Sequence, residues 1–231
     1  GPAGMGAAMS GNADWNKATS GLGEIYNIEA ITFKNHGCCG HTFAAIDGLL
    51  FIMQDAQITA NDIANIAIAT YGPAVSITDR VDPKTPQECK FSMQYVLAHA
   101  AYYGSVRIEA FEAERMADPA IRTMLGQIDL GIDPAVDAEF PARRAAHVSV
   151  TTKDGRQLTH YQPTRKGDPD LPLSDDELDA KFIELTNPVL GSVLTNSLLQ
   201  NLWKLDDISL ATALDFAVLR GDRTTGENLP N

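Results

Sequence analysis

The sequence predicts an α+β fold: a small domain of mixed α/β character with antiparallel strands, followed by further helices. Three observations lead there. Segments with the two-residue alternation of strands lie among segments with helical spacing. One pair of strands is joined by a two-residue turn and so runs antiparallel. Neither a regular βαβ repeat nor a glycine-rich phosphate loop is present.

Residues 1–23 are small and polar and read as loop with a short helix, anchored by Trp15. Alternation from Tyr26 to Phe33 predicts a first strand. From His41 to Ala56, Phe43, Ile46, Leu50 and Met53 recur at three- and four-residue spacing, which makes an amphipathic helix. Thr59–Asp62 has the signature of a helix start, limited to one turn because residues 63–70 then alternate, with Ile66 and Ile68 on one face. A single long helix is expected from Thr85 to Gly104. Thr85 is its N-cap, Pro86 fits the first helical position, Glu88 completes a capping box, and Gly104 ends it. A short helix spans Asp118 to Ile128. Val148 and Val150 then alternate, Asp154-Gly155 supplies a tight turn, and Leu158 and His160 lie on the return strand. A second capping box, Ser174 to Glu177, opens a helix. Two more apolar helical runs, 189–205 and 208–220, precede a polar tail.

The 231 residues, 44% hydrophobic and 21% charged, carry a formal net charge of −12. That balance disfavours a nucleic-acid binder, which needs a basic footprint. It also requires any anionic ligand to be captured by a local basic pocket, because the overall field repels it. No apolar run is long enough to span a bilayer, and the start lacks a signal-peptide pattern, so no membrane is expected. Three cysteines, two of them adjacent, make a poor disulfide framework and point to a cytoplasmic setting. The opening "GPAGMGAAMSG" reads like the interior of a protein, and residues before Gly1 are expected to be missing from this chain.

Chemistry concentrates in "FKNHGCCGHTF", with Lys34, His36, Cys38, Cys39 and His41 within eight residues. As a zinc site the spacing is poor, because adjacent cysteines have diverging side chains. As a nucleophile, Cys38 or Cys39 precedes a helix start near two histidines but has no third member that can be placed. As an anion site, Lys34 projects from a strand end and the Gly37–Gly40 turn delivers free N–H groups at a helix start. The lysine and histidines there are also acid–base candidates. A loop that merely packs is the bland alternative. Lys90 is a candidate for pointing into a cleft, a solvated lysine being the ordinary reading. "TRKGDPD", 164–170, reads as a surface turn, His147 and His160 as cross-strand packing, and His99 as a satisfied core histidine.

Together, "FKNHGCCGHTFAAIDG", "TPQECKFSMQYVLAHAAYYG" and the segment from Val148 through Phe182 resemble, in order and style, the MmgE/PrpD family of dehydratases, decarboxylases and epimerases. The resemblance covers residues 1–185 directly and the last helices more loosely. It implies a cofactor-independent lyase or isomerase acting on small di- or tricarboxylates. In this family a large helical domain, built from the N-terminal half and the last helices, is capped by a smaller α/β lid, with the active site in the cleft between. Residues 1–27 then read as linker and a short helix, 28–165 as the lid, and 166–231 as helices returning to an otherwise absent helical domain. The family's loop lysine falls on Lys34 and its histidine-bearing segment on His36 to His41. Lys34 and His41 are thus the expected catalytic residues; His36, Cys38, Cys39, Lys90 and Lys166 are the expected substrate contacts; neither metal nor cofactor is expected. The chain alone is expected to be inactive unless a helical half, in the same or another polypeptide, completes it as a homo-oligomer, a dimer in the simplest case. The alternatives are a non-catalytic subunit pairing with a helical partner through the apolar face from Val189 to Leu219, and a metal- or redox-sensing module using Cys38 and Cys39.

Overall fold

In chain order the computed structural model, which describes residues 4–12 and 14–205, contains α1 (Met5–Met9), α2 (Phe43–Asp55), β1 (Ile63–Thr70), α3 (Gly72–Thr78), α4 (Pro86–Lys90), α5 (Met93–Tyr103), α6 (Ala113–Met116), α7 (Pro119–Met124), β2 (Ile128–Ile132), α8 (Pro134–Ala138), β3 (Ala146–Thr152), β4 (Gln157–Gln162) and α9 (Asp175–Leu202). Two units divide the chain, 1–172 and 173–231.

The first unit is built on a four-stranded sheet of order β2-β1-β3-β4. β1, β3 and β4 pair antiparallel as expected, but β2 runs parallel to β1, so the sheet is mixed. β2 escaped the sequence reading because "IDLGI" is five residues long, contains Gly131, and buries only Ile128. Its chain direction requires the long crossover through α4, α5 and α7.

α2 packs across β3 and β4, and α5 packs beside it. Phe43, Ile46, Leu49, Ile66, Ile68, Leu97, Val148 and Val150 fill the space between. The helix lies so close that a Cβ added at Gly48 would stand 2.8 Å from the Val148 methyl. On the other sheet face Ala67, Ala69, Ser149, His147 and Tyr161 are half-buried or exposed, and His147 rests on Tyr161 at 4.6 Å between ring centroids. His160 stacks on Phe51 of α2 at 4.1 Å. His147 thus packs across the strands as expected, whereas His160 packs on the helix instead.

Three local expectations change. Tyr26–Phe33 is not a strand: Asn27–Ala30 forms a 3-10 turn, and its apolar residues are exposed, so alternation there does not mark a buried face. Trp15 is 67% exposed, and its ring lies against Gly6 of α1. The long helix from Thr85 breaks at Phe91–Ser92. Ser92 caps α5 by accepting the Tyr95 N–H while its hydroxyl donates to the Arg80 carbonyl at 2.6 Å. A second cap inside the motif won over continued helix. Gly104 ends α5 at φ 72° as predicted.

His99 of α5 is only half satisfied. Its Nδ1 hydrogen-bonds the Ser105 carbonyl at 2.8 Å, whereas Nε2 is buried without a partner among the described residues. Burial lowers its pKa from 6.5, and the neighbouring Arg115 acts in the same direction against the Ser105 bond. The unfolded chain therefore binds this proton more readily, so the contribution is intact above the ordinary histidine range and is lost as pH falls through the lowered value. The urea midpoint is expected to fall between pH 7.5 and 5.5. It should fall less in His99→Asn, which keeps a donor for Ser105; an equal fall would remove His99 from the explanation.

In the second unit, Ser174 and Glu177 form the predicted capping box. α9 is two helical stretches meeting at Gly191, which has φ 75° and ψ 161°. Trp203 Nε1 donates to Asp179 at 2.7 Å. A straight helix would separate residues 24 apart in sequence by about 36 Å, so the chain reverses at Gly191. The helical run expected over 208–220 and the tail after it lie outside the described residues.

Candidate functional site

The sheet register gathers the site. Thr70 pairs with Ala146, and Ala146 with Gln162. The residue leaving β1 (Tyr71), those preceding β3 (Arg143 to Ala145) and those leaving β4 (Thr164 to Asp168) therefore emerge at one end of the sheet. A small second core of Tyr71, Ala74, Val136 and Ala145, with Phe140 against it, fixes this end. Thr70 Oγ1 donates to the Ala145 carbonyl at 2.8 Å, and the Gly72 N–H donates to Asp137 of α8 at 2.7 Å.

His41 reaches this end from the 3-10 turn that leads into α2. Its Nδ1 lies 2.8 Å from the Tyr71 hydroxyl, and Tyr71 in turn stacks on Phe140 at 4.8 Å. Burial, then the charges of Arg144 and Arg165, lowers the His41 pKa below its ordinary 6.5. Burial pushes the Tyr71 phenol up to about 12. At neutral pH the pair is therefore a neutral imidazole against a protonated phenol.

The loop before His41 is tied down by its backbone. Phe33 N–H donates to the Gly167 carbonyl at 2.8 Å, Gly37 N–H to Val106 at 2.8 Å, and Cys39 N–H to Lys90 at 2.9 Å. Its side chains divide. Lys34 is exposed; its ammonium donates to the Cys38 carbonyl at 3.2 Å and lies 6.0 Å from the Phe43 ring centre. His36 points inward, edge-on to Phe43, with Nε2 3.1 Å from Asp47 Oδ1. The other Asp47 oxygen accepts the Lys166 backbone N–H at 2.8 Å. Cys38 is buried against Thr42 and its thiol is pushed up to about 12, which makes it inert. Cys39 is half-buried. Lys90 extends over the Phe111 ring at 5.2 Å.

Of the expected site residues, Lys34, Cys38, Cys39 and Lys90 are linked around one loop, while His36 and Lys166 meet at Asp47. His41 makes its contacts separately, with Tyr71 and Phe140, in the field of Arg144 and Arg165. Among the described residues no group of three or more His, Cys, Asp or Glu is placed to hold a metal ion.

Four groups escaped the sequence reading: Tyr71, Asp47, Arg144 and Arg165. "TRKGDPD", expected to be a surface turn, is instead built into the site. Arg165 is only 8% exposed and grips Asp168 through Nε at 2.9 Å and Nη2 at 2.6 Å. Thr32 joins this network, donating to Asp168 at 2.5 Å and accepting from Arg165 at 3.0 Å. A cleft of about 450 Å³ opens beside it, walled by residues around Thr32, Arg144 and Asp168.

The MmgE/PrpD C-terminal domain model matches residues 36–205. Cis-aconitate decarboxylase of Mus musculus is 27% identical over 171 residues, covering 74% of this chain and 34% of the relative. The Homo sapiens cis-aconitate decarboxylase is 29% identical over 62% of this chain and 30% of the relative. The 2-methylcitrate dehydratase of Cupriavidus necator is 32% identical over 43% of this chain and 22% of the relative. The chain thus spans about a third or less of the length of these relatives. With the family model matched over most of its length, the chain belongs to the MmgE/PrpD family, and the matched part is that family's C-terminal domain.

Proposed function

We propose that this chain supplies part of the active site of a cofactor-independent lyase or isomerase acting on a small di- or tricarboxylate. The observation that carries the reading is a neutral His41–Tyr71 pair, 2.8 Å apart, at the sheet end where Arg144 and Arg165 also emerge, on a chain whose net charge is −12. Cations there stabilise the negative charge that develops when a proton alpha to a carboxylate is removed. Lys34 adds an exposed ammonium to the same loop region. His41 is the acid–base group, since it is free to accept a proton at neutral pH and is held by Tyr71. His36, Cys38 and the backbone of Lys90 and Lys166 keep the loop in place, and Cys39 lies at its half-exposed edge. The relatives act, by name, on cis-aconitate and 2-methylcitrate, which supports the substrate class.

We take residues 28–165 as a lid and 166–231 as helices returning to a helical domain supplied elsewhere, in a complete enzyme that is a homo-oligomer. Three free cysteines fit a reducing cytoplasm. The test is product formation from cis-aconitate and 2-methylcitrate, followed by NMR, with the chain alone and mixed with the N-terminal region of a relative. Turnover only in the mixture is the expected result; no turnover of any di- or tricarboxylate in an assembled complex contradicts the reading.

Apolar exposure favours a second reading, a non-catalytic subunit that docks on a helical partner. Leu22, Ile25, Ile28, Val189 and Val193 are each about 70–80% exposed. A monodisperse monomer in light scattering, with no complex formed on mixing, counts against it.

A further inference from the structure

We propose that the arginine-lined cleft beside His41 is a carboxylate subsite and that Arg144 is the side chain that takes the anion. The inference rests on the carboxylate reading above and names where one carboxylate of a polycarboxylate sits. The cleft, about 450 Å³, is lined by Arg143, Arg144 and Arg165 together with Asp168 and Asp170. Arg165 is committed to Asp168 and Thr32. Arg143 is exposed and lies 3.8 Å from Glu139. Arg144 is half-buried, and among the described residues it meets no carboxylate; its guanidinium stands 6.0 Å from the Phe140 ring centre.

The acidic wall does not supply the absent counter-ion. Asp168 is neutralised by Arg165, and Asp170 is exposed and accepts from Thr164 at 3.0 Å. A half-buried guanidinium without a counter-ion, on a strongly acidic chain, is costly to maintain unless a ligand neutralises it. Its planar fork suits a carboxylate held through two N–H groups. The same charge, after burial, helps to keep His41 neutral. The Phe140 ring lies between the two groups, 6.0 Å from the Arg144 guanidinium and 6.4 Å from the His41 ring, so a carboxylate on Arg144 puts the rest of a small polycarboxylate on the side of the site that holds His41. That carboxylate also cancels part of the field that keeps the imidazole neutral, so that filling the subsite makes His41 a better proton acceptor.

The experiment uses the full chain with tricarballylate, an unreactive tricarboxylate, and with acetate and inorganic phosphate at equal ionic strength. Affinities come from calorimetry and the His41 titration from NMR. Tricarballylate is expected to bind at least tenfold more tightly than acetate. Arg144→Gln should lose at least tenfold, Arg144→Lys should lose less, and Arg143→Gln should stay within about threefold of wild type. The His41 pKa should rise on saturation in wild type and not in Arg144→Gln. Wild-type affinity in Arg144→Gln overturns the subsite. So does phosphate binding as tightly as tricarballylate, which marks an unselective anion patch. If Arg144→Gln binds normally while Lys34→Ala does not, the subsite fails and the carboxylate reading stands. If the wild-type chain binds no carboxylate, the subsite fails, and the turnover assay judges the reading separately.

Discussion

Gly167→Ala is expected to destabilise the first unit by about 2–4 kcal/mol and to abolish carboxylate binding. Gly167 has φ 101°, a conformation that L side chains rarely adopt. A Cβ there would overlap the carbonyl of Phe33. The obstacle is main chain, so no rotamer change relieves it. The displaced carbonyl belongs to the residue before Lys34, and the displaced loop carries Arg165 and Asp168. The hydrogen bonds from Phe33 N–H to Gly167 and from Gly167 N–H to Leu171, both 2.8 Å, would be strained together. Gly131→Ala is the control: its Cβ would meet nothing within 4 Å, and its φ is not positive. Urea denaturation should separate the two variants clearly. Equal midpoints would mean that the 164–168 loop is not held against Phe33.

Asp47→Ala should destabilise by about 2–4 kcal/mol, again with loss of carboxylate affinity. One carboxylate, 11% exposed on its side chain, holds two loops: Oδ1 pairs with His36 and Oδ2 accepts the Lys166 N–H. His36 Nδ1 is already buried without a partner among the described residues. Removing Asp47 therefore leaves an imidazole with neither nitrogen satisfied, which is more damaging than losing an exposed ion pair. Asp47→Asn retains one acceptor oxygen and is expected to lose less than half as much. Chemical denaturation checks the ranking; an alanine variant as stable as wild type would show that the two loops are held by other means.

The fold was legible where the pattern itself contains the physics. Capping boxes at Thr85 and Ser174, the Asp154-Gly155 turn and the Ile66/Ile68 face each specify a local structure without help from distant residues. The sequence reading failed where tertiary context decides. Tyr26–Phe33 alternates without a sheet to join, and β2 is a strand chiefly because β1 offers it a free edge. The site was half legible. Lys34 and His41 drew attention as a cluster, since they are close in sequence. Tyr71, Arg144 and Arg165 lie 30 or more residues from His41, and only the register of three strand ends brings them to it. Asp47 was hidden for another reason. On an amphipathic helix an acidic residue reads as solvent-facing, and nothing local signals that two loops close over it.

The most direct test of the central claim, that this chain carries catalytic groups for carboxylate chemistry, is the turnover of Lys34→Ala in the assembled enzyme. Lys34 is exposed and its ammonium reaches the Cys38 carbonyl and the Phe43 ring, so the test is read in a variant that folds and assembles as wild type. Circular dichroism and light scattering confirm that first. The predicted result is a kcat at least 100-fold lower than wild type, the scale on which a positioned cation or proton-transfer group acts. A variant that assembles normally and turns over within about twofold of wild type would contradict the role of Lys34, and the same result in His41→Ala as well would contradict the claim.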